Sequence, residues 1–112
     1  MRQKKTRYCF LFLFLLLYAG NAYPADKLIF SGIIRDAVTH ETLPYATVLL
    51  ESEETRRYSA IAGDDGTFRI TDVFPGIYKL TVSFIGYGRQ QRTVELKKST
   101  YMTIGLRSDN QL

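Results

Sequence analysis

The sequence predicts an all-β domain, an antiparallel Greek-key β-sandwich of about seven short strands, carried behind an export signal. Three observations predict it. Apolar residues recur with a period of two in run after run, and turn signals separate the runs at about 8- to 12-residue spacing, the pattern of a sandwich. No segment keeps helical spacing for the roughly 11 residues that an amphipathic helix needs. A basic start followed by a short apolar run opens the chain. These divide it into a signal at residues 1–22, one domain at 23–107 and a polar tail or start of a linker at 108–112.

The signal is read from its three parts. Arg2, Lys4, Lys5 and Arg7 form a positive start, and Tyr8 to Leu17 is an unbroken apolar run. That run is too short to cross a bilayer, which takes roughly 20 apolar residues. Gly20-Asn21-Ala22 supplies the small residues of a cleavage site, with Ala25 as a second choice. Cys9 stands at the start of the apolar run rather than after it, which argues against a lipidated N-terminus. Four of the fifteen Lys and Arg lie in the signal and none of the eleven Asp and Glu, so the exported chain is balanced at eleven against eleven. A balanced chain lacks the basic patch that nucleic acid requires. Cys9 is also the sole cysteine, so the domain must fold on its apolar core without disulfides.

The strands follow in order. Lys27 to Arg35 is the first, with apolar residues on both faces. Asp36 to Thr42 is a polar connection, and Pro44 opens the second strand, Tyr45 to Glu51, at a position needing no ladder donor. The acidic Glu51-Ser52-Glu53-Glu54 turns the chain into a third strand near Arg57 to Ala62. Asp65-Gly66 is a tight turn, because Gly takes a positive φ freely and Asp bonds its own backbone. Phe68 and Ile70 then alternate with Thr67, Arg69 and Thr71. Pro75-Gly76 reverses the chain into the cleanest strand signal, with Tyr78, Leu80, Val82 and Phe84 facing the core. The pattern stops at Gly86-Tyr87. Gln91 to Leu96 and Tyr101 to Arg107 close the set, the last placing Met102, Ile104 and Leu106 on one face.

The landmarks read as structural. Gly32 and Gly66 suit a bulge or turn, and Tyr78, two residues past Gly76, is placed to close a corner by bonding its hydroxyl to backbone. Asp64, Asp65 and Asp72 lack the spacing of a calcium loop, which must supply six to eight oxygens. His40 stands alone in a polar loop, and neither a Gly-x-Ser-x-Gly nor a His-Glu-x-x-His motif is present. No catalysis, metal or cofactor is expected.

Taken together, Ser31-Gly32-Ile33-Ile34-Arg35-Asp36, Leu43-Pro44-Tyr45-Ala46-Thr47-Val48, Asp65-Gly66-Thr67-Phe68, Pro75-Gly76-Ile77-Tyr78-Lys79-Leu80 and Phe84-Ile85-Gly86-Tyr87 resemble the successive landmarks of the carboxypeptidase regulatory-like domain. The resemblance implies a transthyretin-like (prealbumin-like) sandwich with no catalytic residues of its own. The Ile-Gly-Tyr ending is especially similar to copies at the N-termini of TonB-dependent outer-membrane receptors of the SusC/RagA type. That setting implies the periplasm, contact with the plug and barrel of a receptor or with another periplasmic protein, and a chain that is a fragment or truncated form. Ala62-Gly63 stand where the family commonly has Thr-Asp, which argues against a ligand role for that turn. The alternative is a free-standing secreted sandwich that binds carbohydrate or protein. Sugar binding calls for exposed rings; tryptophan is absent, and Tyr45, Tyr58, Tyr87 and Tyr101 are scattered candidates better explained by core or rim packing.

Overall fold

The computed structural model describes residues 26–111, so the expected signal at 1–22, Cys9 and both cleavage sites lie outside the described residues. Seven strands form: β1 (Leu28–Asp36), β2 (Thr47–Glu51), β3 (Arg57–Ile61), β4 (Thr67–Val73), β5 (Gly76–Ser83), β6 (Gln90–Leu96) and β7 (Thr100–Leu106). They make two sheets, one ordered β4-β1-β7 and the other β3-β2-β5-β6. Between them lies one apolar core built from alternate residues of every strand, including Phe30, Ile34, Leu50, Tyr78, Leu80, Leu96, Ile104 and Leu106. Phe30 and Phe68 meet across the first sheet with ring centroids 5.3 Å apart. The two ion pairs seen among the described residues, Arg57–Glu51 and Lys97–Glu95, are exposed. Such pairs contribute about 0–1 kcal/mol, so apolar burial holds the sheets together.

Several sequence expectations change in detail. Every pairing is antiparallel except β1 with β7, which run parallel in register from Phe30–Thr100 to Asp36–Leu106. The first strand is buried on one face only, with Ile29 and Ile33 on the half-exposed side. Pro44 does not open β2. It begins a turn in which Tyr45 takes a φ of 66°, which interrupts the extended run there, and β2 starts at Thr47. Phe84 likewise falls beyond β5 and is half-buried against Tyr87, with centroids 5.6 Å apart. The polar segment expected to leave freely after Arg107 is tied down at its start. Ser108 bridges to Tyr87, Asp109 N–H donates to Gly86 O, and a short 3₁₀ turn spans Asp109–Gln111.

Backbone geometry explains the glycines and one aspartate. Gly32 is neither in a turn nor at a bulge. It sits mid-strand, where a Cβ would come within 2.0 Å of the Met102 carbonyl oxygen and 2.9 Å of the Phe68 ring. The bulge lies instead on β4, where three steps (Ile70 to Val73) face two on β1 (Phe30 to Leu28). Asp72 takes a φ of 59° there and returns Val73 to the core. Gly66 has a φ of 78° and lies against Thr42 and Ile34, so both conformation and space require glycine. Gly76 needs neither, since its nearest neighbour is 3.7 Å away in the Tyr78 ring.

These contacts give a paired expectation. Gly32→Ala should destabilise the domain by about 1–3 kcal/mol, the usual cost of overpacking, whereas Gly76→Ala should leave its stability nearly unchanged. Urea unfolding of both variants checks this, and equal midpoints would refute the role given to Gly32.

Candidate interaction surface

Two ends of the sandwich carry the polar and aromatic residues that are not simply core. At one end the chain passes from β4 to β5 and so from one sheet to the other. Tyr78 is buried in β5 and donates its hydroxyl to Phe74 O, while Phe74 N–H donates to the Tyr58 hydroxyl at 3.2 Å. The two tyrosine rings pack edge to face at 5.9 Å. Burial first, and then the neighbouring Tyr58 hydroxyl, raise the Tyr78 phenol above its ordinary value. The Arg56 guanidinium and Lys27 ammonium lie 4.3 and 5.4 Å from the Phe74 ring centre, where the ring quadrupole attracts cations. Pro75 and Gly76 border a depression of about 390 Å³ beside this corner. The arrangement fixes a sheet-to-sheet crossing, with both backbone groups and the ring of Phe74 engaged by side chains of the domain.

The opposite end is built on Asp36, the one buried charged residue among the described residues. Its Oδ1 accepts from Val38 N–H at 2.8 Å and Thr39 N–H at 2.9 Å, closing the loop that follows β1. Its Oδ2 accepts the Tyr87 hydroxyl at 2.7 Å. The Thr39 amide, then Tyr87, then the Val38 amide hold the carboxyl below its usual range. The same bond pushes the Tyr87 phenol up. Asp65 works similarly on a smaller scale, accepting both the amide and the hydroxyl of Thr67 at the turn before β4.

Tyr87 belongs to the turn after β5, so this bond fixes the turn. Tyr87 N–H donates back to Phe84 O, Gly86 takes a φ of 84°, and Ile85 between them stands 94% exposed. Beside it lie Pro44 and the left-handed Tyr45, 64% exposed, whose amide donates to Ala62 O. Pro44, Tyr45, Thr47, Ser83, Phe84 and Ile85 line a shallow depression of about 550 Å³. Ile61, 70% exposed, lies in the adjoining row, because it pairs with Thr47 and Thr47 pairs with Ser83. The surface is apolar and carries no charged side chain. Pro44, Tyr45, Phe84, Ile85 and Ile61 thus leave apolar side chains together at one end of the second sheet.

The sequence landmarks thus separate into two groups. Pro44, Gly86 and Tyr87 come together at this surface. Asp65, Gly66 and Gly32 shape the turns and close backbone contacts behind it, Phe68 is core, and Pro75, Gly76 and Tyr78 belong to the far corner. Asp36 and Ile85 were not singled out by the sequence. An Asp two and three residues before Val38 and Thr39 is an Asx-turn pattern and could have marked the first; nothing local marks the second. Of the four scattered tyrosines, Tyr58 and Tyr87 are packed as rim residues, but Tyr45 and Tyr101 are exposed. They lie with different sheets. Among the described residues no three His, Cys, Asp or Glu gather where a metal ion could bind.

The match to known families decides what kind of domain this is. The model of the carboxypeptidase regulatory-like domain fits residues 29–107. The chain belongs to that family. No curated protein matches its sequence. Among solved structures, this carboxypeptidase regulatory-like domain is similar to catechol 1,2-dioxygenase from Acinetobacter (TM-score 0.63, 13% identity, covering 83% of this chain and 58% of that one). It is also similar to a DUF3823 family protein from Parabacteroides merdae (0.58, 23%, 75% and 47%). A third is BcpA, the major pilin subunit of Bacillus cereus (0.59, 10%, 74% and 30%). The chain spans from under a third to under two thirds of their lengths, and at these identities they share its fold alone.

The Asp36 cluster carries a pH dependence. Because the native carboxyl titrates below its unfolded value of about 3.9, its stabilisation is complete well above that pH and is lost as the pH falls through the lower native value. The melting temperature should therefore drop on acidification toward pH 3. Asp36→Asn should melt lower than wild type at pH 7 and fall less steeply, and parallel curves for the two proteins would contradict the assignment.

Proposed function

We propose that this carboxypeptidase regulatory-like domain is a non-catalytic accessory module that acts by protein contact in the periplasm. In this reading it is the N-terminal part, or a truncated form, of a TonB-dependent outer-membrane nutrient receptor. Its partner is the plug and barrel of that receptor or another periplasmic protein. One observation carries the contact role: the uncharged apolar surface of Tyr45, Ile61, Phe84 and Ile85, held out by a turn that two separate hydrogen-bonded ties fix. Ile85 has nearly all of its apolar surface in water, so its burial against a partner would be favourable. The order of export signal, sandwich and Phe-Ile-Gly-Tyr supports the receptor setting.

Chemistry finds no support in the arrangement. His40 is exposed in its loop, and the acids with shifted titration, Asp36 and Asp65, are engaged by donors from their own loops. The runner-up is a free-standing secreted module. Its carbohydrate form needs rings that share a platform, and the exposed Tyr45 and Tyr101 lie with different sheets.

Site-specific photocrosslinking in cells exporting the protein tests the contact role. A crosslinker at Ile85 should give a defined adduct with an outer-membrane receptor or another periplasmic protein, whereas one at Lys79, exposed in β5, should give none. The adduct should weaken in Tyr45→Ser. Absence of any adduct at Ile85, or equal adducts at both positions, would count against this surface.

A further inference from the structure

The first and last strands of the domain are neighbours and run parallel, an arrangement that stability does not favour, since parallel pairs are slightly weaker per residue than antiparallel ones. Its consequence is geometric. The chain enters at the Leu28 end of β1 and leaves at the Leu106 end of β7, so its two connections lie at opposite ends of a single ladder.

We infer that the domain is a load-bearing module, in which tension between the polypeptide before Leu28 and the polypeptide after Leu106 is carried in shear by the β1–β7 ladder. Strands drawn past each other along their length load all their hydrogen bonds at once, and these must break together. Strands drawn apart from one end lose them singly. The ladder runs unbroken over seven residue pairs and is closed at both ends: Ile29 N–H donates to Ser99 Oγ at 3.0 Å, and Ala37 N–H donates to Leu106 O at 2.8 Å. Two glycines let the backbones seat this closely. Gly32 leaves room for the Met102 carbonyl, and Gly105 for Ala37, 3.2 Å from where its Cβ would be.

Load leaving β7 passes next to Arg107 and Asp109, which are hydrogen-bonded to Gly88 and Gly86 on either side of Tyr87, with Ser108 opposite Tyr87. Tyr87 returns it to the end of β1 through Asp36. The exit is thus braced against the strand that shares the load. This role is independent of which protein covers the apolar surface, and it operates whenever an anchor or partner holds the Asp26 side while the C-terminal side is drawn away.

Single-molecule pulling on the full chain tests it, with DNA handles on introduced cysteines and Cys9→Ser to leave no other thiol. Handles at Asp26→Cys and Asn110→Cys pull along the ladder. Handles at Asp26→Cys and Lys98→Cys pull from one end of it and peel β1 from β7. Forced unfolding reports the barrier rather than the equilibrium, so the first pair should rupture at a severalfold higher force than the second, although both proteins melt at the same temperature. Equal forces, or a higher force for the second pair, would overturn the inference.

Discussion

A single buried carboxylate organises the end of this domain that carries the apolar surface. Burying a charge is costly unless it is fully hydrogen-bonded, and Asp36 meets that condition with donors from two places, its own loop and a turn of the other sheet. The loop bonds fix where the chain turns after β1. The Tyr87 bond fixes the turn after β5, to which the segment leaving β7 is in turn stapled. Each of the three donors satisfies part of one carboxylate, so the loop, the turn and the exit segment are coupled through one side chain. Ile85 owes its exposed position to this arrangement and not to any packing of its own.

The opposite end solves a related problem with neutral groups. Phe74 lies at the crossing between sheets, where both of its backbone groups would otherwise lack ladder partners, and Tyr58 at the rim and Tyr78 in the core supply them. Its ring is occupied by Arg56 and Lys27. Phe74 at that end is therefore engaged on both its backbone and its ring, although Ile77 beside it stays exposed, while the Asp36 end presents an apolar surface without charged side chains.

What the sequence made legible was local. Alternation in Tyr78, Leu80 and Val82 located β5 and its buried face, and Asp65-Gly66 located a turn, because side-chain period and turn chemistry are properties of adjacent residues. Features set by distant partners were not legible. The parallel pairing of β1 with β7 joins residues some seventy apart, and only that pairing shows why position 32 must be glycine. Asp72 stands out in the sequence only as a candidate calcium oxygen, and its left-handed φ has a purpose only in the bulge set by pairing with β1. Phe84 continued the alternation, yet the turn imposed by Gly86 and Tyr87 ended the strand one residue before it. Asp36 reads in the sequence only as the start of a polar connection; its two loop donors lie beside it in sequence, but the Tyr87 hydroxyl that completes its set is 51 residues away.

The central claim is that the Asp36–Tyr87 bond builds the apolar surface by holding the turn that presents it. Amide hydrogen exchange of wild type and Tyr87→Phe at neutral pH measures this most directly, because the substitution removes one hydroxyl and leaves the ring against Phe84. Faster exchange confined to residues 84–88 and 107–109, with the strands of both sheets protected as before, is the predicted result. Unchanged exchange in the turn, or a loss of protection spread evenly over the domain, would contradict it.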